Sequence, residues 1–317
     1  MIEIYKTQDD KSLKALSLNE AQSGSWFNLI NPTFEEIQKV SIILDIEEDF
    51  LRNSLDADEL SRTEFEDGNL LVITNVPILD DEGNFDTLPL GLIFTHEGVI
   101  TVCSKENKII NSFNHDTSKF FDTRDKANFM LSILFRTAKF YLRYLKIINK
   151  RTDEIEDSLR KTTNNKALFE LIEAQKSLVY FTTALKDNRI MLEKILKSVN
   201  SKNMQGLLKF EEDDIDMLED VIIETKQAEE MVEMHRTILE SMMDGFASII
   251  NNNVNQVMKF LAAITIILSI PTMLGSFWGM NVPVPFAENA NGFICVIIIS
   301  ILCTMGAAIF FRKKSLL

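Results

Sequence analysis

Two long apolar runs near the end of the chain limit what it can fold into more than any other feature. The first, 257–277, has Lys259 as its one charged residue, and the second, 293–311, has none. About 20 residues of α-helix are long enough to cross the hydrocarbon layer of a bilayer, which is about 30 Å thick. Both runs are therefore predicted to be transmembrane helices. The alternative is a pair of helices buried in the core of a soluble protein.

The charges beside the runs predict their orientation. Three basic residues, 312–314, follow the second run, whereas the loop 278–292 has no lysine or arginine. Cytoplasmic loops of membrane proteins are enriched in these residues, so we expect the loop outside and the C-terminus in the cytoplasm. The N-terminal segment has no long apolar stretch, which predicts neither a signal peptide nor an anchor there. Residues 1–256 are then expected in the cytoplasm, attached to the cell membrane by a two-span hairpin.

The chain is predicted to have three parts. Residues 1–121 contain the strand-like runs LLVITNV, GLIFT and VITVC and a possible capping box from Thr33 to Glu36, which together indicate an α+β or α/β domain. Residues 122–256 have no proline and show apolar residues every three to four positions, a pattern typical of helices. Their last helix is expected to begin near Gly206 and to run into the first span as a stalk of about 70 residues, roughly 100 Å long. Residues 257–317 are the transmembrane hairpin with a basic tail.

The net charge of −14 is concentrated in the predicted stalk. Residues 211–244 contain thirteen acids, and their bases are Lys226 and Arg236. An acidic helix argues against nucleic acid as a partner. One interpretation of the acids is a solvated helix face. The other is that some of them, such as Asp213 and Asp216 in the dense opening run, face a neighbouring subunit with a hard cation such as Mg²⁺ between the carboxylates.

One face of the first span carries its hydroxyl side chains. With residues about 100° apart, these hydroxyls lie within roughly 60° of one another, and the same face continues toward the N-terminus through small and polar side chains. Its members are Asp244, Asn251, Asn255, Met258, Ala262, Thr265, Ser269, Thr272 and Ser276. Hydroxyls in membrane helices can also bond their own backbone or allow close helix packing. Together with the outward loop and the acidic stalk, the face predicts a cation path, which a symmetric ring of subunits could enclose. Met258 and Leu261 are candidates for an apolar constriction on it.

A tripeptide at the end of the first span carries a family resemblance. Gly279, Met280 and Asn281 follow the aromatic residues Phe277 and Trp278, at the outer end of the first of two C-terminal spans. In this position the motif resembles that of the CorA family of magnesium transporters, and the likeness extends over essentially the whole chain. The resemblance implies a funnel-shaped homopentameric channel for divalent cations, with these three residues at its external mouth and Asn281 as the selectivity residue.

The resemblance also implies roles along the long helix. Thr272, Met258 and Asn255 would line the pore, and Asp244 would form an acidic ring at its inner end. Asp220 would lie on the stalk side of a regulatory metal site between subunits, which closes the channel when internal Mg²⁺ is high.

The partner carboxylate of that regulatory site is left open among several candidates near Asp80 and Asp81.

Two departures from the family pattern lie in and beside the motif loop. Trp278 replaces the tyrosine common before the motif, and Glu288 is the one acid that follows Asn281, which predicts a weaker attraction of cations from outside. Ser269 adds a hydroxyl at a position that is apolar or glycine in some relatives, as does Ser276.

The chemistry of Mg²⁺ supports a role for Asn281 independently of the resemblance. The ion gives up its octahedral water shell reluctantly, so a ring of amide oxygens can select it by accepting hydrogen bonds from those waters without binding it too tightly for release. The expected ions are Mg²⁺, both transported and regulatory, and Co²⁺ as a further one. The expected partners are other copies of the chain, divalent cations and membrane lipids.

Two other functions remain open at this stage. One is a transporter of the same architecture for Co²⁺, Ni²⁺ or Zn²⁺, and the other is a membrane-anchored sensor or scaffold that carries no ion. An enzyme is not expected, because His96, His115 and His235 are scattered along the sequence and no nucleophile–base motif or phosphate loop is evident.

Overall fold

A computed structural model of the chain describes residues 1–80, 82–161, 165–285 and 291–314. The chain forms two compact units, Met1–Glu240 and Ser241–Leu317. The three-part division at 121 and 256 was drawn on secondary structure and hydropathy rather than on compactness, and it stays a prediction.

The first unit begins with a mixed region of strands and short helices. Its strands are β1 (Ile2–Thr7), β2 (Leu13–Leu16), β3 (Ser25–Ile30), β4 (Arg62–Glu66), β5 (Asn69–Leu79), β6 (Phe85–Phe94) and β7 (Gly98–Cys103). The helices of the whole chain are α1 (Phe34–Leu44), α2 (Glu48–Asn53), α3 (Lys108–Asn111), α4 (Lys126–Lys161), α5 (Asn165–Ser198), α6 (Lys202–Leu207), α7 (Glu212–Trp278) and α8 (Gly292–Lys313). Short 3₁₀ turns lie at Leu18–Glu20 and His115–Phe120.

The strands form one seven-stranded sheet in the order β2-β1-β3-β7-β6-β5-β4. Only the β3–β7 pair is parallel among the pairs of described strands. The three strand-like runs of the sequence lie in β5, β6 and β7, so those strand predictions are confirmed. All three are almost continuously buried, which is the pattern expected of a sheet with both faces covered.

Each face of the sheet has its own apolar core. Successive side chains of a strand point to opposite faces, so Leu70 and Val72 of β5 join one core while Leu71 and Ile73 join the other. The first core includes residues of α3, α4, α5 and the first turns of α7, and the second includes residues of α1 and α2. The sheet is therefore the middle of three layers. The helix α7 begins in the layer that also contains α3, α4 and α5.

The predicted capping box at the start of α1 is confirmed. The Thr33 hydroxyl accepts from the Glu36 backbone N–H at 3.3 Å, and the Glu36 carboxylate accepts from the Thr33 N–H at 2.9 Å. The start predicted for the long helix is wrong, because α7 begins at Glu212 and Gly206 lies in the separate helix α6. Between them Leu208 is extended and fully buried, so its side chain joins the core at the cost of helical continuity.

The second unit consists of the C-terminal part of α7 and of α8. Among the described residues, these two helices are long and apolar enough to cross a membrane. Only 6% of the apolar window of α7 is buried within the chain, and none of that of α8 is. Helices in the core of a soluble protein would be mostly buried, so the low burial favours the membrane interpretation of both runs.

Candidate ion-conduction site

The predicted polar face lies on exposed surface along α7. All ten predicted pore-lining side chains are exposed in the isolated chain. They are Asp244, Asn251, Asn255, Met258, Leu261, Ala262, Thr265, Ser269, Thr272 and Ser276. The structure therefore brings them into one line along a single helix, and nothing within the chain covers that line among the described residues.

The opposite side of α7 is the one that packs against α8. Ala263 is only 2% exposed, and Ile267, Ile270 and Leu274 are half-buried on the same side. A groove of about 700 Å³ between the helices is lined by Pro271 and Gly275 of α7 together with residues of α8 that are apolar except for Ser300 and Thr304. With about 100° between residues, this side lies roughly opposite the polar face. The polar face is thus left free to meet other copies of the chain or an ion path.

Three of the four hydroxyls of the face bond to their own helix. Thr265 donates to the Leu261 carbonyl at 2.8 Å, Ser269 to that of Ile266 at 2.8 Å and Thr272 to that of Leu268 at 3.3 Å. This is the backbone bonding that the alternative interpretation predicted, but it uses only the hydrogen of each hydroxyl. The oxygen keeps lone pairs that can accept a hydrogen bond. Since the waters around a cation are donors, such a face suits a hydrated cation.

The Gly-Met-Asn motif follows the last turn of α7 directly. The Gly279 N–H donates to the Gly275 carbonyl at 3.0 Å, and the Met280 N–H donates to the Phe277 carbonyl at 3.4 Å. Asn281 comes next in a bend, and its side chain is exposed. The last carbonyls of a helix carry a partial negative charge, so Asn281 lies where the helix itself favours a cation.

The candidate regulatory acids occupy one exposed side of the first turns of α7. Asp213, Asp216 and Asp220 are exposed, whereas Asp214 is buried and its carboxylate accepts from the Glu211 backbone N–H at 3.0 Å. Within the described part of one chain, no group of three or more His, Cys, Asp or Glu side chains is placed to hold a metal ion. One chain alone therefore does not gather these acids into a complete site.

Acidic groups crowd together where α7 begins. Burial raises the pKa of Asp125, and the negative charges of Asp214, Asp122 and Glu211 raise it further. A raised pKa means that the ionised carboxylate is held at a cost in this environment. Nearby cations would lower that cost.

Two acids, Asp80 and Asp81, mark the region in which several candidates for the partner carboxylate lie. Asp80 is part of the β5–β6 turn, where its carboxylate accepts from the backbone N–H groups of Glu82 at 2.9 Å and Asn84 at 2.7 Å. Those bonds give Asp80 a local role in the turn. Asp81 and the loop acid Glu288 lie outside the described residues.

Sequence reasoning missed one contact in the loop that bears on the motif. The indole N–H of Trp278 donates to the Pro285 carbonyl at 3.0 Å. The sequence predicted only an interfacial aromatic ring at this position. The two prolines of the VPVP segment were a sign that the loop is stiff, but they do not indicate which side chain meets its end.

A comparison with protein families gives the site its context. The family model described as "CorA-like Mg2+ transporter protein" matches residues 21–313, nearly the whole chain. The chain belongs to this family. The resemblance predicted from the sequence is therefore confirmed.

Individual CorA proteins are similar to this chain over almost their full length. The cobalt/magnesium transport protein CorA of Methanocaldococcus jannaschii is 26% identical over 99% of this chain and 99% of its own. The protein of the same name from Thermotoga maritima is 23% identical over 98% of this chain and 88% of its own. The complete structure of the Methanocaldococcus jannaschii CorA magnesium transporter matches with a TM-score of 0.84 at 25% identity, over 99% of this chain and 98% of that one. This match confirms the predicted order of mixed domain, helical region, long helix and two apolar helices.

Proposed function

We propose that this chain is a membrane channel for divalent cations and that Mg²⁺ is its main cargo. One observation carries the proposal: a largely polar face of α7, interrupted only by Met258, Leu261 and Ala262 among its predicted members, points away from α8 and leads to the Gly-Met-Asn motif, in a chain of the CorA-like family. The function is transport rather than catalysis. Co²⁺ is a second expected ion, since two of the relatives are named cobalt/magnesium transport proteins.

The pore requires several copies of the chain. Two spans per chain cannot enclose a polar path, and an uncovered polar face is costly in lipid. A symmetric ring places the polar face of each α7 toward the axis and α8, whose residues 293–311 carry no charge, toward lipid. The family resemblance sets the number of copies at five and gives the assembly a funnel shape.

The orientation follows from the charges at the ends of the spans. Arg312, Lys313 and Lys314 are exposed after the second span and interact with lipid head groups on the cytoplasmic side. Residues 1–256 and the C-terminus are then in the cytoplasm, and the Gly-Met-Asn motif opens outward. Glu288 is the loop acid nearest to that mouth in sequence.

Ions are selected at the outer mouth of the pore. When the pore is closed, a constriction deeper in the path blocks them. The Asn281 side chains of the ring accept hydrogen bonds from the waters of a hydrated ion, so the ion enters without losing its inner shell. Gly279 and Met280 set the turn that brings Asn281 to the mouth. Deeper in the path, Met258 and Leu261 form an apolar constriction that excludes water when the pore is closed.

The acids on the first turns of α7 regulate the opening of the channel. Asp213, Asp216 and Asp220 are exposed on one side, and a neighbouring copy supplies the remaining ligands of a cation site. Binding of Mg²⁺ between copies holds the ring closed, and loss of Mg²⁺ lets the copies separate through charge repulsion. At the other end of the polar face, Asp244 forms an acidic ring that attracts cations to the cytoplasmic mouth.

Removing the carboxylates of Asp213, Asp216 and Asp220 is expected to leave the channel open in abundant Mg²⁺. In the triple variant Asp213→Asn, Asp216→Asn, Asp220→Asn, the Mg²⁺ concentration that halves the flux should rise at least about tenfold, the factor that corresponds to about 1.4 kcal/mol of binding free energy. The measurement is Mg²⁺ flux as a function of Mg²⁺ on the side of the soluble region. The control removes the same number of negative charges from exposed acids elsewhere, at Glu35, Asp58 and Glu66. Equal inhibition of the triple variant and the control would contradict the regulatory role.

Growth of cells that lack their own Mg²⁺ uptake systems tests the proposed function. Expression of this chain should restore growth at low external Mg²⁺, and uptake assays with competing Co²⁺, Ni²⁺ and Zn²⁺ should leave Mg²⁺ as the preferred ion. Preferential uptake of Co²⁺, Ni²⁺ or Zn²⁺ would instead make the chain a transporter of that metal. Folded protein in the membrane without uptake of any of these ions would favour a sensor or scaffold.

A further inference from the structure

We propose that Trp278 is the positioning residue of the selectivity filter, which consists of Gly279, Met280 and Asn281, through the hydrogen bond from its indole N–H to the Pro285 carbonyl. The proposal rests on the proposed role of Asn281. The bond of 3.0 Å joins the last residue of α7 to the far end of the segment that contains Asn281. The bond closes residues 278–285 of one chain into a loop. We call this loop the filter ring, and it is distinct from the ring of subunits.

The filter ring is fixed to α7 at its beginning. The N–H groups of Gly279 and Met280 donate to carbonyls in the last turn of the helix, Gly275 and Phe277. A side-chain carbon on Gly279 would lie 3.3 Å from the Gly275 carbonyl oxygen, closer than most such contacts, so glycine suits this close approach. The first two residues of the motif therefore continue the helix end rather than move freely.

The other arm of the filter ring is stiff because of its sequence. Val282-Pro283-Val284-Pro285 alternates β-branched residues with prolines. Proline fixes its own φ near −65°, and it restricts the residue before it to extended conformations. When the Trp278 bond holds the end of a stiff arm, the position of Asn281 at its beginning is held as well. Without that bond the arm can swing about the helix end.

Apolar side chains cover part of the indole ring. Trp278 is half-buried, and a small cavity of about 240 Å³ beside it is lined by side chains of both helices and of the loop. These are Leu274, Phe277, Val284, Pro285, Val296 and Ile299. The bond itself is exposed, so it is the packing of the ring against these side chains that holds the direction of its N–H. A tyrosine would carry its donor at the far end of the ring, so its hydroxyl would not take the place of the indole N–H.

The variant Trp278→Phe keeps an aromatic ring and removes the donor. We expect it to transport Mg²⁺ but to lose discrimination: the ratio of Mg²⁺ to Ca²⁺ flux should fall about fivefold, which corresponds to about 1 kcal/mol and to the net value of one hydrogen bond. A general loss of folded channels would lower both fluxes and leave their ratio unchanged. The matched control is Trp26→Phe, which removes another indole N–H, the donor to the Thr101 hydroxyl at 2.9 Å in the sheet. Its flux ratio should equal that of the wild type.

Hydrogen exchange of the indole N–H tests the bond without any transport. The chain has two tryptophans, so the full-length protein in lipid nanodiscs gives two indole N–H signals by NMR, and the two Phe variants assign them. The Trp278 signal should exchange with solvent more slowly than a free indole, and Pro285→Gly, which loosens the acceptor end, should speed it.

The outcomes separate the two proposals. A protected Trp278 N–H together with a reduced flux ratio in Trp278→Phe supports the positioning role. An unprotected N–H, or an unchanged ratio in a conducting Trp278→Phe channel, overturns it while the proposed function stands. A protected N–H in a folded chain that conducts no divalent cation overturns the proposed function, and the positioning role with it, while the bond itself remains.

Discussion

Replacing Asn281 with Ala is expected to reduce Mg²⁺ flux at least about tenfold, the largest effect of any single substitution in the transmembrane hairpin. The exposed amide lies just beyond the C-terminal end of α7, where it can accept hydrogen bonds from a hydrated ion. Alanine removes that acceptor from every copy in the ring at once. Since Mg²⁺ holds its waters tightly, a mouth without acceptors neither captures the hydrated ion nor strips it.

The matched control for this prediction is Asn291→Ala. Asn291 is also exposed, it belongs to the same loop at the start of α8, and its side chain makes no capping hydrogen bond there. Flux of this variant should stay close to the wild-type value. If Asn281→Ala conducted Mg²⁺ as well as the control, the amide ring would not be the selective element.

The second large effect is expected in the soluble unit, at Asn188 of α5. Its side-chain amide meets the backbone of Asn75 in β5: Oδ1 accepts from the Asn75 N–H at 2.9 Å, and Nδ2 donates to the Asn75 carbonyl at 2.8 Å. The last pair between β4 and β5 is Arg62 with Ile73, so Asn75 has no partner residue in β4. The side-chain amide of Asn188 makes the two backbone hydrogen bonds that a neighbouring strand would otherwise make. Oδ1 also accepts from the hydroxyls of Ser61 and Thr74, which makes Asn188 the centre of a buried polar network.

Asn188→Leu is expected to lower the free energy of unfolding by about 3 kcal/mol, because several buried polar groups lose a partner at once. For a unit of this size the midpoint of thermal unfolding should fall by roughly 6–12 °C, measured by circular dichroism on the full chain in detergent. Thr183→Ala is the control on the same helix, since Thr183 is exposed and its hydroxyl bonds to the Val179 carbonyl of its own helix. A midpoint as high in Asn188→Leu as in this control would contradict the role of the network.

Much of the fold could be predicted because burial leaves a direct pattern in the sequence. The runs in β5, β6 and β7 are mostly apolar and almost continuously buried since both faces of the sheet are covered, and the capping box marked the start of α1. The start of α7 could not be predicted in this way. Gly206 is compatible with a helix, and it is the packing of Leu208 into the core of the first unit that ends α6 and separates it from α7.

The position of the polar face could be predicted because it depends on a single helix, whereas the roles of its residues stay predictions. The polar face of α7 follows from a spacing of about 100° per residue, and the structure leaves all of its predicted members exposed on one line. Contacts between distant residues left no such pattern. The bond from Trp278 to Pro285 depends on how the loop turns back, and the network of Asn188 depends on the packing of α5 against a sheet edge more than 100 residues earlier.

The measurement that tests the account most directly is Mg²⁺ flux into liposomes that contain the purified wild-type chain, at low and high Mg²⁺ on the side of the soluble region. The account predicts flux above that of empty liposomes at low Mg²⁺ and its suppression at high Mg²⁺. Well-folded protein that gives no flux of Mg²⁺, Co²⁺ or Zn²⁺ at either concentration would contradict it.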